Sequence, residues 1–306
     1  MADAAPALSF DTNFDPQTGT AVRVAPGIAR VTAPNGGPYT FTGTNTYVLG
    51  ETSLVVVDPG PDDARHLSAL LAAIGGRGVE AILLTHTHRD HCDLARQLAA
   101  SLEAPLWFEG RHRPSREVRL LERDPIKGES DYALKPDREL MDGDILEVAG
   151  LRIEVIATPG HCANHLCFGI AGTPWMLNGD HVMGWNTTMI AAPDGSVAEY
   201  LDSLRKLSGL GYRHYLPGHG GPIADGPGFA RRLMQHREMR NEEVVRAVEA
   251  GARRIGELVR IIYPKLPVAV VPAARMTIAA HVEYLAARGR ISARRGLWGT
   301  VLTPAR

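Results

Sequence analysis

The sequence predicts a mixed fold of strands and helices, of the α/β or α+β class, followed by a smaller and mainly helical C-terminal part. Three observations support this prediction. Short apolar runs rich in β-branched residues recur between turn signals through the first 220 residues, helical periodicity appears between them, and long helical stretches dominate after residue 228. The 306 residues are 44% hydrophobic and 22% charged, as is typical of a folded globular protein.

The first part is predicted to contain nine strands and three helices. The strands are the apolar runs at residues 46–49, 53–57, 81–84, 106–108, 145–148, 151–157, 165–170, 175–177 and 213–216. The helices are expected at 62–74, at about 91–102 and at 196–207, and Asp62 or Asp63 can cap the first of them. An arginine-rich insertion at 110–139, which includes Arg116 and Arg123, is expected to be either a solvated helix face or a basic lid that faces the substrate.

The C-terminal part is predicted to contain helices at 229–250, 254–262 and about 276–288, then a pair of strands at 290–293 and 298–302. Pro264, Pro267 and Pro272 are expected to end the helical pattern between the second and third of these helices, because proline has no backbone N–H to donate. Three helices followed by a hairpin is the order of a winged-helix domain. We therefore divide the chain into domains at 1–226 and 227–306.

Charge is distributed unevenly between these two parts. Residues 227–306 contain 15 Arg and Lys and 6 Glu, a net charge of +9, whereas residues 1–226 contain 18 basic and 28 acidic residues, a net charge of −10. A basic tail of this kind is expected to meet an anionic partner such as nucleic acid, with Tyr284 and Trp298 as the main candidates for base stacking. Alternatively, it packs on the acidic body of its own subunit or of a neighbouring subunit in a dimer.

The composition argues against a membrane protein and against a disulfide-rich one. No window approaches the ~18–20 unbroken apolar residues of a membrane span, and residues 1–10 have no Lys or Arg of the kind that starts a signal peptide. We therefore expect a cytoplasmic protein with no membrane contact. The three cysteines are an odd and sparse set, and Cys92 and Cys162 are expected to be small buried packing residues.

A dense group of metal-binding side chains directly follows the predicted strand 81–84. His86, His88, Asp90 and His91 fall within six residues. Residues two apart in an extended segment point to the same side, so His86 and His88 can converge on one ion. Asp90 and His91 enter the next predicted helix and are turned toward a neighbouring point. The spacing therefore favours a site for two metal ions.

Three further residues of ligand type follow later strands. His161, Asp180 and His219 come after the predicted strands 151–157, 175–177 and 213–216. Binding sites in open α/β architectures are built beyond the carboxyl ends of strands. Five His and two Asp suit Zn²⁺, although Mn²⁺ or Fe²⁺ accepts the same set. We expect two divalent metal ions, with zinc preferred.

These residues lie in motifs that resemble those of a known family. The His-x-His-x-Asp-His string, the Pro159-Gly160-His161 turn, the Gly179-Asp180 pair and the Pro217-Gly218-His219-Gly220 segment resemble the motifs of the metallo-β-lactamase superfamily. The order of this core and a winged-helix-like tail resembles the lactamase-β-2-like group of that superfamily. The resemblance implies an α+β fold, an αββα sandwich of two sheets flanked by helices, with a dinuclear metal site at one edge.

The resemblance also implies a role for each candidate residue. The seven ligand-type residues would form one metal position from His86, His88 and His161, a second from Asp90, His91 and His219, and a bridge between them from Asp180. Asp58 matches a supporting acidic residue of the family that orients the ligand loop. For His165 and His181, which lie near the site, we expect either hydrogen bonds to the ligands or plain structural packing.

Such a site predicts metal-assisted hydrolysis. A hydroxide that bridges two metal ions is a nucleophile available at neutral pH, because the metals lower the pKa of bound water. Asp90 can orient that hydroxide or accept its proton, so Asp90 and the bridging Asp180 are the predicted catalytic residues. The Gly-x-Ser-x-Gly motif of serine hydrolases is absent from the sequence.

Three functions remain open at this point. The first is an endoribonuclease on single-stranded RNA, an activity found in the lactamase-β-2-like group and favoured by the basic tail. The second is a hydrolase of small thioesters, esters or lactones that resembles glyoxalase II, although the glutathione-recognition residues of that enzyme have no clear counterpart in residues 181–190. The third is a binding module without catalysis on the same scaffold. Asp180 argues against β-lactam hydrolysis, because β-lactamases of the superfamily usually lack this aspartate.

The shape of the substrate pocket is expected to depend on two loops. One is the segment 32–44, rich in Gly, Pro and Thr, and the other is the segment 185–188. Trp185 in the second loop either closes the pocket or packs in the core.

Overall fold

The computed structural model describes residues 8–119, 122, 124–296 and 299–305. These residues form three β-sheets. The first sheet has seven strands, side by side in chain order: β1 (Ala21–Ala25), β2 (Ile28–Thr32), β3 (Asn45–Gly50), β4 (Ser53–Val57), β5 (Gly78–Leu83), β6 (Leu106–Phe108) and β7 (Arg138–Glu139). The second has five, also in chain order: β8 (Ile145–Val148), β9 (Leu151–Ala157), β10 (Leu166–Ile170), β11 (Trp175–Gly179) and β12 (His214–Pro217). The third is the hairpin of β13 (Ile291–Gly296) and β14 (Gly299–Pro304).

Seven α-helices accompany the sheets in the described residues. They are α1 (Ala64–Ile74), α2 (Arg89–Cys92), α3 (Ala95–Leu102), α4 (Val197–Ser208), α5 (Gly226–Glu249), α6 (Ile255–Ile262) and α7 (Val271–Ala287). Strands β1 to β4 and β8 to β11 are antiparallel, whereas β4 to β7 and the pair β11 and β12 run parallel. The parallel strands of each sheet therefore end at the same edge, where the next loops begin.

The two large sheets pack face to face with helices outside them. Their inward side chains form the central core, which includes Tyr47, Leu83, Phe168 and Leu216. On the outer face of the first sheet, α1 and α3 pack with Leu70, Ile74 and Leu98. On the outer face of the second sheet, α4 and the first turns of α5 pack with Tyr200, Leu204, Phe229 and Leu233. The layers are thus αββα, so the predicted fold class is confirmed.

The tail has a hydrophobic core of its own. Val244, Leu258, Ile278 and Leu302 bring together α5, α6, α7 and the hairpin. Helix α5 contributes to two cores, because its first turns pack on the second sheet and its last turns pack in the tail. The tail is therefore attached along a continuous helix. The division of the chain at residues 226 and 227 stays a prediction.

Most predicted elements are confirmed, and the differences have local causes. The predicted helix at 91–102 is two helices, α2 and α3, separated by Asp93 and Leu94. Pro272 does not end a helical pattern: it occupies the first turn of α7, where the N–H that proline lacks would have no partner in the helix. Strands β1, β2 and β7 were not predicted. The predicted strand at 298–302 begins at Gly299 in the described residues, and Trp298 lies outside them.

The arginine-rich insertion is not a helix. In its described part, residues 110–139 contain one 3₁₀ turn, at Lys127–Glu129, and strand β7. Prolines at 114, 125 and 136 interrupt any longer helix. Arg116 donates to Glu122 and to Glu283 of α7, so this segment ties the body to the tail. Arg123 lies outside the described residues.

None of the helices in the described part of the chain combines the length and the apolar character of a membrane span.

Candidate metal centre

The seven ligand-type residues converge where the two large sheets meet. His86, Asp180 and His219 follow the ends of β5, β11 and β12. Backbone hydrogen bonds join these loops, from Leu166 N to Thr85 O (2.7 Å) and from Gly218 N to Gly179 O (2.8 Å). A Cβ at Gly218 would lie 2.6 Å from both Asp180 Oδ1 and His91 Cε1. Glycine is thus required at position 218 for the loop to approach the side chains so closely.

Three histidines form one group, which we call the three-histidine cluster: His86, His88 and His161. Their ligand atoms lie within 4.8 Å of one another, as expected for residues that share one ion. The closest pair is His88 Nδ1 and His161 Nε2, at 2.9 Å. All three side chains are buried.

The other group, which we call the Asp90 cluster, consists of Asp90, His91 and His219. Asp90 Oδ2 lies 3.2 Å from His219 Nε2, and His91 Nε2 lies 3.3 Å from the same nitrogen. Asp180 lies between the clusters: Oδ1 is 3.5 Å from His91 Nε2, and Oδ2 is 3.4 Å from His219 Nε2 and 3.7 Å from His161 Nε2. The structure therefore brings all seven predicted ligands together in the predicted grouping.

Hydrogen bonds behind the five histidines orient their rings. The outward ring nitrogens donate to acceptors as follows: His86 Nδ1 to Thr85 Oγ1 (2.9 Å), His88 Nε2 to Asp194 Oδ2 (3.1 Å), His91 Nδ1 to Asp58 Oδ2 (3.0 Å), His161 Nδ1 to Met189 O (2.8 Å) and His219 Nδ1 to Gly43 O (3.2 Å). In each neutral ring the other nitrogen then carries a lone pair, which points into the centre.

This arrangement of donors fits two divalent cations. His88 Nδ1 and His161 Nε2 face each other at 2.9 Å, a distance that either a proton shared by the two rings or a metal ion bound by both would satisfy. His86 Nε2 and Asp180 Oδ1 are buried and have no hydrogen-bond partner in the described residues. Buried polar atoms without partners are rare in native proteins, and here a metal ion would satisfy both. Imidazole nitrogens and carboxylate oxygens are ligands that zinc, manganese and iron accept.

The pKa values of the histidines differ between the two clusters. Burial opposes protonation of His219, but Asp180 and Asp90 outweigh it and raise the pKa of this ring from 6.5 to about 9. The same carboxylates raise the pKa of His91 well above its usual range, again against the effect of burial. In the three-histidine cluster, burial and the neighbouring His88 lower the pKa of His161 to about 4. Asp90 and the neighbouring Asp180 thus attract positive charge to the Asp90 cluster.

Asp58 occupies the position that the resemblance implied for it. It is buried at the end of β4 and has a left-handed backbone, φ 52°, which aspartate tolerates better than most residues. Oδ1 accepts from Thr85 N and Oδ2 from Thr85 Oγ1, both at 2.7 Å, besides the bond from His91. Through Thr85 it also reaches His86, so a single carboxylate orients one ligand in each cluster.

His165 and His181 take different positions behind Asp180. His165 Nε2 accepts from Asp180 N at 3.2 Å, and its Nδ1 pairs with Thr158 Oγ1 at 2.8 Å. His181 packs against the Tyr200 ring, with centroids 4.5 Å apart, and neither of its ring nitrogens has a hydrogen-bond partner in the described residues. His165 therefore supports the backbone of Asp180, whereas His181 contributes packing.

Sequence reasoning missed the acceptor behind His88. Asp194 is fully buried and accepts from His88 Nε2 (3.1 Å) and from His112 Nε2 (2.6 Å). These two histidines keep the pKa of Asp194 below its usual range despite its burial. Asp194 lies in a Pro-Asp-Gly segment that reads as a turn, and no spacing in the sequence relates it to His88 across a separation of 106 positions.

A second missed residue links the tail to the centre. Arg237 of α5 is only 2% exposed and donates from Nη2 to the carbonyl of Thr188. Thr188 Oγ1 donates to Asp180 O at 2.7 Å, and the next residue, Met189, accepts from His161. Arg237 also lies over the Tyr200 ring, 5.2 Å from its centroid. In the described residues it has no carboxylate partner, so this buried cation depends on a carbonyl and an aromatic face.

A cavity of about 820 Å³ opens from the metal centre. Besides five metal-centre residues, its wall consists of short segments from the loop 37–40, from 125–129, from 183–189 and from α7: Gly37, Pro38, Tyr39, Thr40, Pro125, Ile126, Glu129, Met183, Met189, Pro272, Arg275 and Met276. Trp185 is not part of this wall. It is half-buried and stacks on Phe41 with centroids 4.8 Å apart.

Cys92 and Cys162 are buried free cysteines, as predicted.

Comparison with known families matches both parts of the chain. Residues 39–219 match the Metallo-beta-lactamase superfamily, and residues 255–298 match the Beta-lactamase associated winged helix domain. The first match covers more than half of the chain and contains all seven ligand-type residues. The second covers α6, α7 and much of the hairpin, in agreement with the predicted winged-helix order.

Among curated proteins, the chain is similar to several fungal and animal relatives. It is 28% identical over 284 residues to Lactamase-like protein vrtG of Penicillium aethiopicum, covering 88% of this chain and 83% of that protein. It is 29% identical over 262 residues to Atrochrysone carboxyl ACP thioesterase of Aspergillus fumigatus, covering 80% and 76%. It is 26% identical over 235 residues to Beta-lactamase-like protein 2 homolog of Caenorhabditis elegans, covering 74% and 72%.

Solved structures share the whole fold. A metallo-beta-lactamase family protein from Thermus thermophilus superposes with a TM-score of 0.74 at 25% identity, over 92% of this chain and 100% of that one. A beta-lactamase domain protein from Burkholderia ambifaria has a TM-score of 0.78 at 21% identity, over 96% of each chain, and shows the likeness of fold. With the matched family, the layered fold and the His and Asp clusters, the chain belongs to the metallo-β-lactamase superfamily of hydrolases and carries its associated winged-helix domain.

Proposed function

We propose that this protein is a dinuclear, metal-dependent hydrolase of thioesters or esters with an apolar acyl group. The observation that carries the proposal is the cavity of about 820 Å³, which joins the metal centre to walls made of proline, methionine, isoleucine and tyrosine side chains. A cavity of this size accommodates a small-molecule substrate, and apolar walls favour burial of a hydrocarbon or aromatic group.

The charges along the cavity favour this substrate over RNA. Apart from the metal-centre residues, the charged side chains in its wall are Glu129 and Arg275. Each nucleotide of RNA adds a phosphate, and proteins that bind single strands line the path with several cations and with stacking aromatic rings. Several tail arginines are already paired within the protein, such as Arg240 with Glu243 and Arg290 with Glu242. The thioesterase named among the relatives is a further reason to test acyl thioesters first.

We propose zinc for both positions, with Mn²⁺ and Fe²⁺ as the alternatives. Divalent cations bound there supply a lowered pKa for water and polarisation of the scissile carbonyl. Asp90 lies in the cavity wall, and His91 and His219 keep its pKa well below the usual range despite burial. It is therefore ionised at neutral pH and can accept the proton of the attacking water. Thr44 Oγ1, 3.4 Å from Asp90 Oδ2, helps to orient this carboxylate.

The experiment is a comparison of substrates on one metal-loaded preparation. A series of straight-chain acyl thioesters of N-acetylcysteamine, from acetyl to decanoyl, is followed by release of free thiol, and an end-labelled single-stranded RNA is incubated in parallel. We expect thioester turnover that improves with chain length and is lost in Asp180→Ala, while the RNA stays intact.

The RNA incubation also tests the endoribonuclease hypothesis, whereas binding of nucleic acid by the basic tail stays a prediction. Cleavage of RNA that disappears in Asp180→Ala, without turnover of any thioester, would overturn the proposal and restore the endoribonuclease hypothesis. Retention of RNA cleavage in that variant would indicate a contaminating nuclease. Metal analysis of the purified protein identifies the bound element.

A further inference from the structure

One arginine of the tail forms part of the cavity wall. Arg275 lies in the second turn of α7, and its neighbours Pro272 and Met276 line the cavity with it. The side chain is exposed, and its guanidinium forms no hydrogen bond or ion pair with any residue that the structure describes. Gly256, at the start of α6, leaves room for it, since a Cβ there would lie 3.6 Å from Arg275 Nη1.

Other arginines between the body and the tail have structural partners. Arg116 and Arg119 both pair with Glu283, which lies two turns further along α7. Those two side chains therefore hold the body and the tail together. Arg275 instead presents five N–H donors to the cavity, and outside the metal-centre residues it is the one basic side chain among the described residues of the wall, where Glu129 is the one acidic side chain.

We propose that Arg275 binds an anionic group of the substrate, a carboxylate or a phosphate, at the tail side of the cavity. This inference rests on the proposed function and narrows its substrate class to anionic acyl thioesters or esters. The planar fork of a guanidinium matches the two oxygens of a carboxylate or phosphate and can donate two parallel hydrogen bonds to them. The acyl carbon would face the metal centre while the charged end is bound by the tail domain.

The anionic group has two possible sources, and the cavity is compatible with both. It is either a carboxylate at the far end of the acyl chain or a phosphate on the thiol carrier. Three matched thioesters distinguish them: decanoyl-N-acetylcysteamine is neutral, 9-carboxynonanoyl-N-acetylcysteamine carries the charge on the acyl side, and decanoyl-coenzyme A carries it on the thiol side.

The test compares Arg275→Gln and Arg275→Lys with the wild type on these three substrates. We expect Arg275→Gln to raise KM for one of the two anionic thioesters by about 10- to 100-fold, the range for loss of a charged hydrogen bond, and to leave KM for the neutral thioester unchanged. Arg275→Lys should restore part of the loss. The substrate that responds identifies the source of the charge. Arg260→Gln, an exposed arginine of α6 outside the cavity wall, is the matched control.

Equilibrium binding keeps the inference testable if the protein hydrolyses no thioester. The corresponding thioethers cannot be hydrolysed, and their affinity is measured by calorimetry with the metal-loaded protein. The wild type is compared directly with Arg275→Gln. If the wild type prefers one anionic thioether and the variant does not, the result supports binding of an anionic group by Arg275, even where the protein hydrolyses no thioester. Equal changes for neutral and anionic ligands, or no wild-type preference, would overturn it, because Arg275 would then shape the cavity without recognising charge.

Discussion

Two rings of the metal centre have opposite pKa shifts, His161 in the three-histidine cluster and His219 in the Asp90 cluster, whereas the pKa of His88 in the three-histidine cluster is raised because Asp194 outweighs the effect of burial. In the three-histidine cluster, His161 is surrounded by other rings and its pKa falls to about 4, whereas in the Asp90 cluster His219 faces two carboxylates and its pKa rises to about 9. The first cluster consists of neutral ligands only, and the second includes a carboxylate of its own. Charge therefore favours a cation in the Asp90 cluster, whereas the three-histidine cluster depends on ring orientation.

This difference shows where each cluster is vulnerable. The rings of the three-histidine cluster are oriented by Asp194, by the carbonyl of Met189 and by Thr85. Asp194 and Met189 belong to the loop that precedes α4. Arg237 of the tail donates to the carbonyl of Thr188 in the same loop. The Asp90 cluster is supported by Asp58 and by a loop carbonyl of the first sheet. Substitutions at Asp194 or Arg237 should thus affect the three-histidine cluster and spare the other, whereas a substitution at Asp58 should affect both.

The largest effect is expected from Asp180→Ala, because this carboxylate lies between the clusters. We expect the variant to bind fewer than two metal ions. Its activity should fall by more than ~100-fold, which is the upper range for loss of a residue that only supports a ligand. Metal content by mass spectrometry and thioester kinetics measure both effects. Asp202→Ala, an exposed position of α4, should match the wild type. Two bound metal ions in the Asp180 variant would contradict its role between the clusters.

The next largest effect is expected from Asp194→Asn, which removes a hydrogen-bond acceptor behind the three-histidine cluster and not behind the Asp90 cluster. Asp194→Asn should weaken binding to the three-histidine cluster by about 10- to 100-fold, because an amide NH2 group, which cannot accept, replaces one of the two oxygens that accept from His88 and His112. The measurement is competition with a chelator in the His219→Ala background, which disables the other cluster. Asp194→Asn in the His161→Ala background should leave the remaining cation in place. A loss of equal size in both backgrounds would show that Asp194 supports the whole fold rather than one cluster.

A smaller effect is expected from Arg237→Met, which leaves the carbonyl of Thr188 without its donor. We expect the free energy of unfolding of the metal-free protein to fall by about 1–3 kcal/mol. Metal affinity of the three-histidine cluster should fall as well, because the loop of Thr188 and Met189 carries the acceptor for His161. Arg246→Met, an exposed arginine of the same helix, should change stability by less than about 0.5 kcal/mol. Unchanged metal affinity in Arg237→Met would limit this arginine to packing.

A further effect is a pH dependence of the metal-free protein that differs between His219 and His161. The folded pKa of His219, about 9, is above its unfolded 6.5, so its contribution to stability is complete below pH 6.5 and is lost as the pH rises to 9. The folded pKa of His161, about 4, is below 6.5, so its contribution is present above pH 6.5 and is lost as the pH falls to 4. The measurement is the free energy of unfolding by denaturant, in the presence of a chelator, from pH 4 to 9. The acidic limb of this curve lies below pH 6.5 and the alkaline limb lies above it.

Two variants show which histidine causes each limb of the curve of stability against pH. His219→Gln should make the loss of stability above pH 6.5 less steep, and His161→Gln should do the same below pH 6.5, while other histidines with shifted pKa values, such as His91 and His66, keep part of each slope. If both variants change the same limb, the opposite surroundings of the two rings are not what sets the stability of the metal-free centre.

Much of the fold and all seven ligand-type residues could be predicted from local patterns. Strand periodicity located most of the two large sheets, and the short spacing from His86 to His91 indicated a paired site. The same reasoning missed Asp194 and Arg237, because each acts across many residues of sequence through one buried hydrogen bond. It also placed Pro272 outside a helix, since proline breaks a helix in its interior and is tolerated in its first turn.

The sequence by itself determined the order of strands and helices, the ligand types and their positions at strand ends, because these depend on side-chain periodicity and on neighbours close in the chain. The tertiary structure alone decided which ring nitrogen of each histidine faces the centre, since the acceptors behind the rings come from distant loops. It also decided that α7 of the tail closes an apolar cavity over the metal centre and places Arg275 in its wall. Helix packing between two domains sets that arrangement, and no local pattern encodes it.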